Sequence, residues 1–232
     1  MRLSAHPKLE SMCTVLLRFA PGTAQPLLFG AVRDEFVDRA WDPPATHWGG
    51  RLLGGRDRSA GGTWLAVDPD RPAVAAVLNG TRLPLPADGV RPSRGGLPLA
   101  ALRGEVPSHV DGYDGFHLVL GTAQRVRVWS WDGTAVRTTE LAPGDHVIVN
   151  EGVDPADRPV AAKLHAVDGH EDWVRLLGDD LVLVDRTFDG RRYGSTSTSL
   201  VTLDATGVRY EFNARPRDVS GWYPVIPPRR TA

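Results

Sequence analysis

The order of apolar runs along the chain predicts an α+β domain in which a few helices pack on antiparallel sheets. Three observations carry this expectation. Short β-branched and apolar runs recur with turn residues between them. Helical periodicity is confined to three short stretches. The strands adjoin one another as hairpins, whereas a doubly wound parallel sheet would alternate them with helices.

Thr14 to Phe19 reads as the first strand, and Leu27 to Val32 returns beside it across Pro21-Gly22. Thr63 to Asp68 and Ala73 to Leu78 form the next hairpin, with Asp68-Pro69-Asp70 as the turn. Phe116 to Leu120 and Arg125 to Trp131 follow. Asp132-Gly133, between Trp131 and Val136, suits a type I′ turn, because Gly accepts positive φ. His146 to Val149 is a further short strand. Leu200 to Leu203 and Val208 to Phe212 close the series around Asp204 to Gly207.

Helices are expected over Leu97 to Leu102, over Val160 to Val167 behind Pro159, and over Glu171 to Leu177 with Gly178 as the stop. Arg39 to Gly62 and Thr81 to Pro98 are rich in Pro and Gly and read as irregular. Loops of that length in a compact domain are functional or disordered. The chain divides into a leader or upstream start over 1–12, one domain over 13–223, and a disordered tail over 224–232.

Composition narrows the function. The 232 residues carry 27 basic and 28 acidic side chains, a net charge of -1, so a nucleic-acid partner is disfavoured. A single cysteine excludes an internal disulfide and a multi-cysteine zinc site, and suits a reducing, cytoplasmic setting. Apolar runs are too short to span a bilayer, and the first eleven residues lack the pattern of a secretory signal. There is no phosphate loop, His-Glu-x-x-His motif or Gly-x-Ser-x-Gly elbow, and the histidines are scattered, so no metal site is expected.

The chemistry that remains centres on Met12-Cys13. If the chain starts at Cys13, that residue carries a free α-amine, with a reference pKa of about 7.7–8.0, beside a thiol of about 8.5. The amine can take the thiol proton, so one residue supplies both nucleophile and base. The alternative is a cysteine packed as a small hydrophobe. Arg33-Asp34-Glu35 follows the second strand. Arg33 can hold a thiolate or a substrate carboxylate and Asp34 an α-ammonium, or the triplet is a solvated strand end. Asn79 and Asn150 each end an apolar strand, where an amide can donate to an oxyanion or simply make a turn. Trp64, Trp129, Trp131 and Trp173 either line an apolar cleft or fill the core.

Taken together, these residues resemble the NRDE family, also called the transport and Golgi organisation protein 2 family. The likeness begins at Met12-Cys13-Thr14 and Ala31-Val32-Arg33-Asp34-Glu35-Phe36. It continues through Trp48, Gly55-Arg56-Asp57, Ala60-Gly61-Gly62-Thr63-Trp64-Leu65, Asn79 and Ser93-Arg94-Gly95. Tyr113-Asp114-Gly115-Phe116, Asn150, and Tyr193-Gly194 with the run Ser195 to Ser199 complete it. The resemblance implies an N-terminal-nucleophile-hydrolase-like fold, a four-layer αββα sandwich with antiparallel sheets. It implies Cys13 as nucleophile, Arg33 and Asp34 as its neighbours, and Asn79 and Asn150 as oxyanion and substrate donors. Arg94, Trp64 and Thr196 take substrate-binding positions. Two departures stand out: Val32 replaces the namesake Asn, and Thr196 stands where the family has Arg.

Two functions are compatible with this. The first is a cysteine hydrolase that cleaves a non-peptide C–N bond, an amide, through Cys13 and without a cofactor. The second is a haem-binding or haem-trafficking protein on a catalytically degenerate fold, with haem as its ligand.

Overall fold

A computed structural model describes residues 13–84, 89–156 and 158–227. In chain order the strands are β1 (Thr14–Phe19), β2 (Leu27–Phe36), β3 (Trp41–Ala45), β4 (Leu53–Asp57), β5 (Leu65–Asp68), β6 (Ala73–Asn79), β7 (Phe116–Thr122) and β8 (Val126–Trp131). They continue as β9 (Val136–Glu140), β10 (Gly144–Val149), β11 (Gly152–Val153), β12 (Asp185–Phe188), β13 (Arg191–Asp204), β14 (Gly207–Asn213) and β15 (Trp222–Ile226). The helices are α1 (Leu97–Leu102), α2 (Pro159–His165) and α3 (His170–Leu177).

Two antiparallel sheets result. The first runs β11-β10-β1-β2-β13-β14-β15, with β12 paired to β13. The second is a meander, β3 to β9 in chain order. Because side chains alternate across a strand, Val15 and Leu17 point between the sheets while Leu16 points outward. The inner layer joins Val15, Leu17, Phe29 and Leu203 to Leu65, Val74, Val119 and Val128. On the outer face of the first sheet, Leu16, Val147 and Leu200 meet Leu164 of α2 and Trp173 and Leu177 of α3. On the outer face of the second, Ala75, Leu118 and Trp129 meet Leu97, Leu99 and Leu102. The layers are therefore αββα. Both faces of the central strands are buried, which explains why those strands read as nearly continuous apolar runs.

Several expectations need correction. Arg39 to Gly62 is not irregular: it contains β3 and β4. Pro43 and Pro44 hide β3, and they are tolerated because β3 is an edge strand, where a missing N–H breaks no interior ladder. The charged triplet does not end a strand in solvent; β2 runs on through Phe36, and Arg33 and Asp34 are 4% and 3% exposed. The strand expected over Leu200 to Leu203 starts at Arg191, and its buried hydroxyls Ser197, Thr198 and Ser199 had masked the pattern. The β8–β9 turn is not type I′. Its loop spans 132–135, Gly133 alone in it has positive φ, and the Asp132 carboxylate accepts from the N–H groups of Thr134 and Ala135. β15 reaches Ile226, so Pro224 to Ile226 are ordered strand and not tail. The leader over 1–12 lies outside the described residues. Trp129 and Trp173 are core, while Trp131, also largely buried, lines a cavity with Leu83 and Tyr113 that is separate from Cys13.

Candidate active site

The register between β1 and β2 decides where the candidate nucleophile stands. Thr14 is opposite Val32, so the next step brings Cys13 beside Arg33. Cys13 is half-buried, and its Sγ–H donates to the main-chain oxygen of Asp34 at 3.6 Å. Tyr193 donates its hydroxyl to the same oxygen at 2.9 Å. A cleft of about 290 Å³ opens here, lined by Cys13, Arg33, Asp34, Trp64, Asn79 and Arg94 among others. Two sheets and one loop thus converge on the sulfur: β1 and β2 from the first sheet, the start of β5 and end of β6 from the second, and the segment before α1.

β13 crosses β2 with a bulge. Ser195 faces Asp34 and Ser197 faces Arg33, which leaves Thr196 as the extra residue. Bulges re-aim a side chain beside active sites, and this one turns Thr196 onto Arg33. Its Oγ1 accepts from Arg33 Nη1 at 2.8 Å and donates to the Arg33 carbonyl at 3.2 Å. Arg33 also approaches Asp57 Oδ2 at 3.5 Å and lies 4.7 Å from the centre of the Trp64 ring. Asp57 in turn holds Arg39 through a two-pronged contact at 2.5 and 3.1 Å. Arg91 pairs with Asp114. Arg94 has only the Gly115 carbonyl, at 2.9 Å, and no carboxylate partner among the described residues.

In the cleft one thiol and one carboxyl group are strongly perturbed. Burial, followed by the Asp34 charge, pushes the Cys13 thiol up to about 12, although the guanidinium of Arg33 pulls the other way. Burial also raises Asp34 to about 7, against the stabilising bond from Ser195 Oγ–H to its Oδ1 at 2.5 Å. The other oxygen, Asp34 Oδ2, is buried without a hydrogen-bond partner. A buried carboxylate oxygen left unpaired costs free energy, so a donor that reaches it is favoured.

The cleft is shaped by a close backbone approach. Thr63 N–H donates to the Gly95 carbonyl at 2.8 Å. A Cβ at Gly62 would stand 2.4 Å from the Gly95 carbonyl carbon, so only glycine lets the Arg94 loop sit against this strand.

Of the residues expected from sequence, Cys13, Arg33, Asp34, Asn79, Trp64 and Arg94 gather at one cleft. Thr196 and Asn150 do not line it. Thr196 is spent on Arg33 and faces a second cavity of about 540 Å³, bounded by Trp41, Leu183, Val184, Arg192 and Ser195. That larger cavity contains no Cys13 and no Asn79. Asn150 lies just past β10; continuing the β1–β10 register places it opposite Cys13. Its carbonyl accepts from His117 Nε2 at 3.1 Å, while Ser130 Oγ lies 2.8 Å from His117 Nδ1. Burial lowers the His117 pKa, so the ring is neutral, with Nε2–H donating and Nδ1 accepting from Ser130. His117 is a lone histidine within a strand and carried no sequence signal. Asp57 and Asp114 stood in the quoted Gly-Arg-Asp and Tyr-Asp-Gly stretches, but their arginine partners lie far away in sequence. Among the described residues, no cluster of His, Cys, Asp and Glu is arranged to hold a metal ion, and no helix is long and apolar enough to cross a membrane.

Comparison with known proteins now adds to this geometry. No curated protein matches the sequence. Among solved structures, a Caenorhabditis elegans N-acylethanolamine-hydrolyzing acid amidase (NAAA) ortholog superposes with a TM-score of 0.51 at 14% identity. The alignment covers 81% of this chain and 92% of that one. At that identity the likeness establishes the N-terminal-nucleophile-hydrolase fold and no more. The model for the family described as Transport and Golgi organisation 2 matches residues 12–168. With more than half of its length matched, from the residue before Cys13 to the segment after α2, the chain belongs to the Transport and Golgi organisation 2 family.

Proposed function

We propose that the protein is a cysteine amidohydrolase that cleaves a non-peptide C–N bond with Cys13 as N-terminal nucleophile. The observation that carries this reading is the convergence of Cys13, Arg33, Asp34 and Asn79 on one cleft.

A thiol held near 12 keeps its proton at neutral pH, so attack requires a base within reach. The α-amine of Cys13, once it is the first residue, supplies that base. The orphaned Asp34 Oδ2 supplies an acceptor for the resulting ammonium. Sγ then attacks the amide carbonyl, and Asn79 donates to the oxyanion as it develops. The C–N bond breaks, the amine leaves with the proton taken from the thiol, and a Cys13 thioester remains. Water adds to the thioester, releasing the acid and restoring the thiol.

The test is direct. The chain with Cys13 as first residue is incubated with small N-acyl amides, and amine release is followed. Stoichiometric release of amine and acid is expected. No cleavage of any amide, together with a Soret shift on titration with micromolar haem, would replace this reading with the ligand-carrier one.

A further inference from the structure

We infer that Arg94 is a carboxylate clamp, and that the substrates are small amides bearing one carboxylate, of the N-acylated amino acid class. This rests on the amidohydrolase reading above and narrows it.

Four guanidiniums line the cleft: Arg33, Arg39, Arg91 and Arg94. Arg33 and Arg39 share Asp57, Arg39 also reaches Glu35, and Arg91 has Asp114. Arg94 has no direct ion pair among the described residues and donates only to the Gly115 carbonyl; burial lowers its pKa, while the charges of Cys13 and Glu35 act on it from farther away in the opposite sense. An ion withdrawn from water without a counter-charge is costly. A planar fork matched to a carboxylate relieves that cost with two parallel bonds. A carboxylate on the ligand would give Arg94 the direct partner that the four carboxyl groups of the lining, Asp34, Glu35, Asp57 and Asp114, do not give it.

The placement is specific as well. Arg94 lies close enough to Cys13 for a thiolate there to raise its pKa. Its backbone is held against the second sheet by the Thr63–Gly95 bond and by the glycine contact at Gly62, and its guanidinium is held by the Gly115 carbonyl. The remaining walls include the Trp64 ring and Val77, which suit a short acyl or aromatic group. At about 290 Å³ the cleft is at the small end of ligand pockets. It has room for an acylated amino acid.

The experiment uses hippurate, an N-benzoyl amino acid, and its uncharged primary amide. Their binding to the Cys13→Ala chain is measured by calorimetry, so that nothing is cleaved. Hippurate is expected to bind at least about ten-fold more tightly than the neutral amide, a difference of about 1.4 kcal/mol. Arg94→Gln should reduce hippurate to the level of the neutral amide, and Arg94→Lys, which keeps the charge and loses the fork, should retain part of the difference. Equal binding of acid and amide, no binding of either, or unchanged hippurate affinity in Arg94→Gln would overturn the clamp. Cleavage is read separately on the Cys13 chain. Arg94-dependent binding without cleavage sinks the hydrolase reading and leaves the clamp; equal cleavage of charged and neutral amides does the reverse.

Discussion

Replacing Cys13 with Ala is expected to lower amide turnover by at least about 10³-fold, because removing the nucleophile of such a site leaves only binding and oxyanion stabilisation. The same change should hardly affect folding. Cys13 is half-buried at the end of β1 and touches the inter-sheet core only at its edge. Losing one sulfur there costs on the order of 1 kcal/mol, or a shift of about 2–4 °C in Tm for a chain of this size. Turnover and melting temperature are measured on one preparation. Retained turnover, or a variant that fails to fold, would contradict the assignment. A thiol used only for packing would move both quantities modestly and together.

The second large effect concerns Asp34. Its carboxyl is raised from 3.8 to about 7 by burial while Cys13 is in peptide linkage. The folded state therefore holds a proton that the unfolded chain releases near pH 4. The contribution of this group is fully present below pH 3.8 and is lost as pH rises through about 7. A shift of that size corresponds to at most about 4 kcal/mol. Asp34→Asn keeps an acceptor for Ser195 Oγ–H but cannot ionise. Its stability relative to the parent chain should therefore increase between pH 4 and 8, as read by urea unfolding across that range. A flat difference would show that Asp34 does not titrate there. In the chain that begins at Cys13, the ammonium adjoining Asp34 should bring the carboxyl down and shrink this pH-dependent gain. That reversal separates a carboxylate built to meet an α-ammonium from one that is merely buried.

The sequence reveals different parts of this molecule to different degrees. β1 and α1 are delimited exactly, from Thr14 to Phe19 and from Leu97 to Leu102. In both cases hydrophobic burial and local propensity point the same way. β3 and β4 are hidden because Pro43, Pro44, Gly54 and Gly55 oppose strand propensity, and only tertiary pairing overrides it. β13 is hidden because the hydroxyls of Ser197, Thr198 and Ser199 are buried within a sheet and not solvated in a loop. The nearness of Cys13 to Arg33 and Asp34 follows from a two-strand register, which the apolar pattern specifies. The ring of compensated arginines does not follow. Arg33 and Asp57, or Arg91 and Asp114, meet only when two sheets and a loop close on one another. Nor does the role of Thr196, which depends on a single-residue bulge that turns it from the cleft onto Arg33.

The central claim is that Cys13 works with its own α-amine. The measurement that bears on it most directly is N-terminal sequencing and intact mass of the active protein, paired with turnover of a chain that retains residues 1–12. Cys13 is expected as the first residue of every active molecule, with no amide cleavage by the longer chain. A longer chain that keeps Met12 in peptide linkage and turns over just as fast would contradict it.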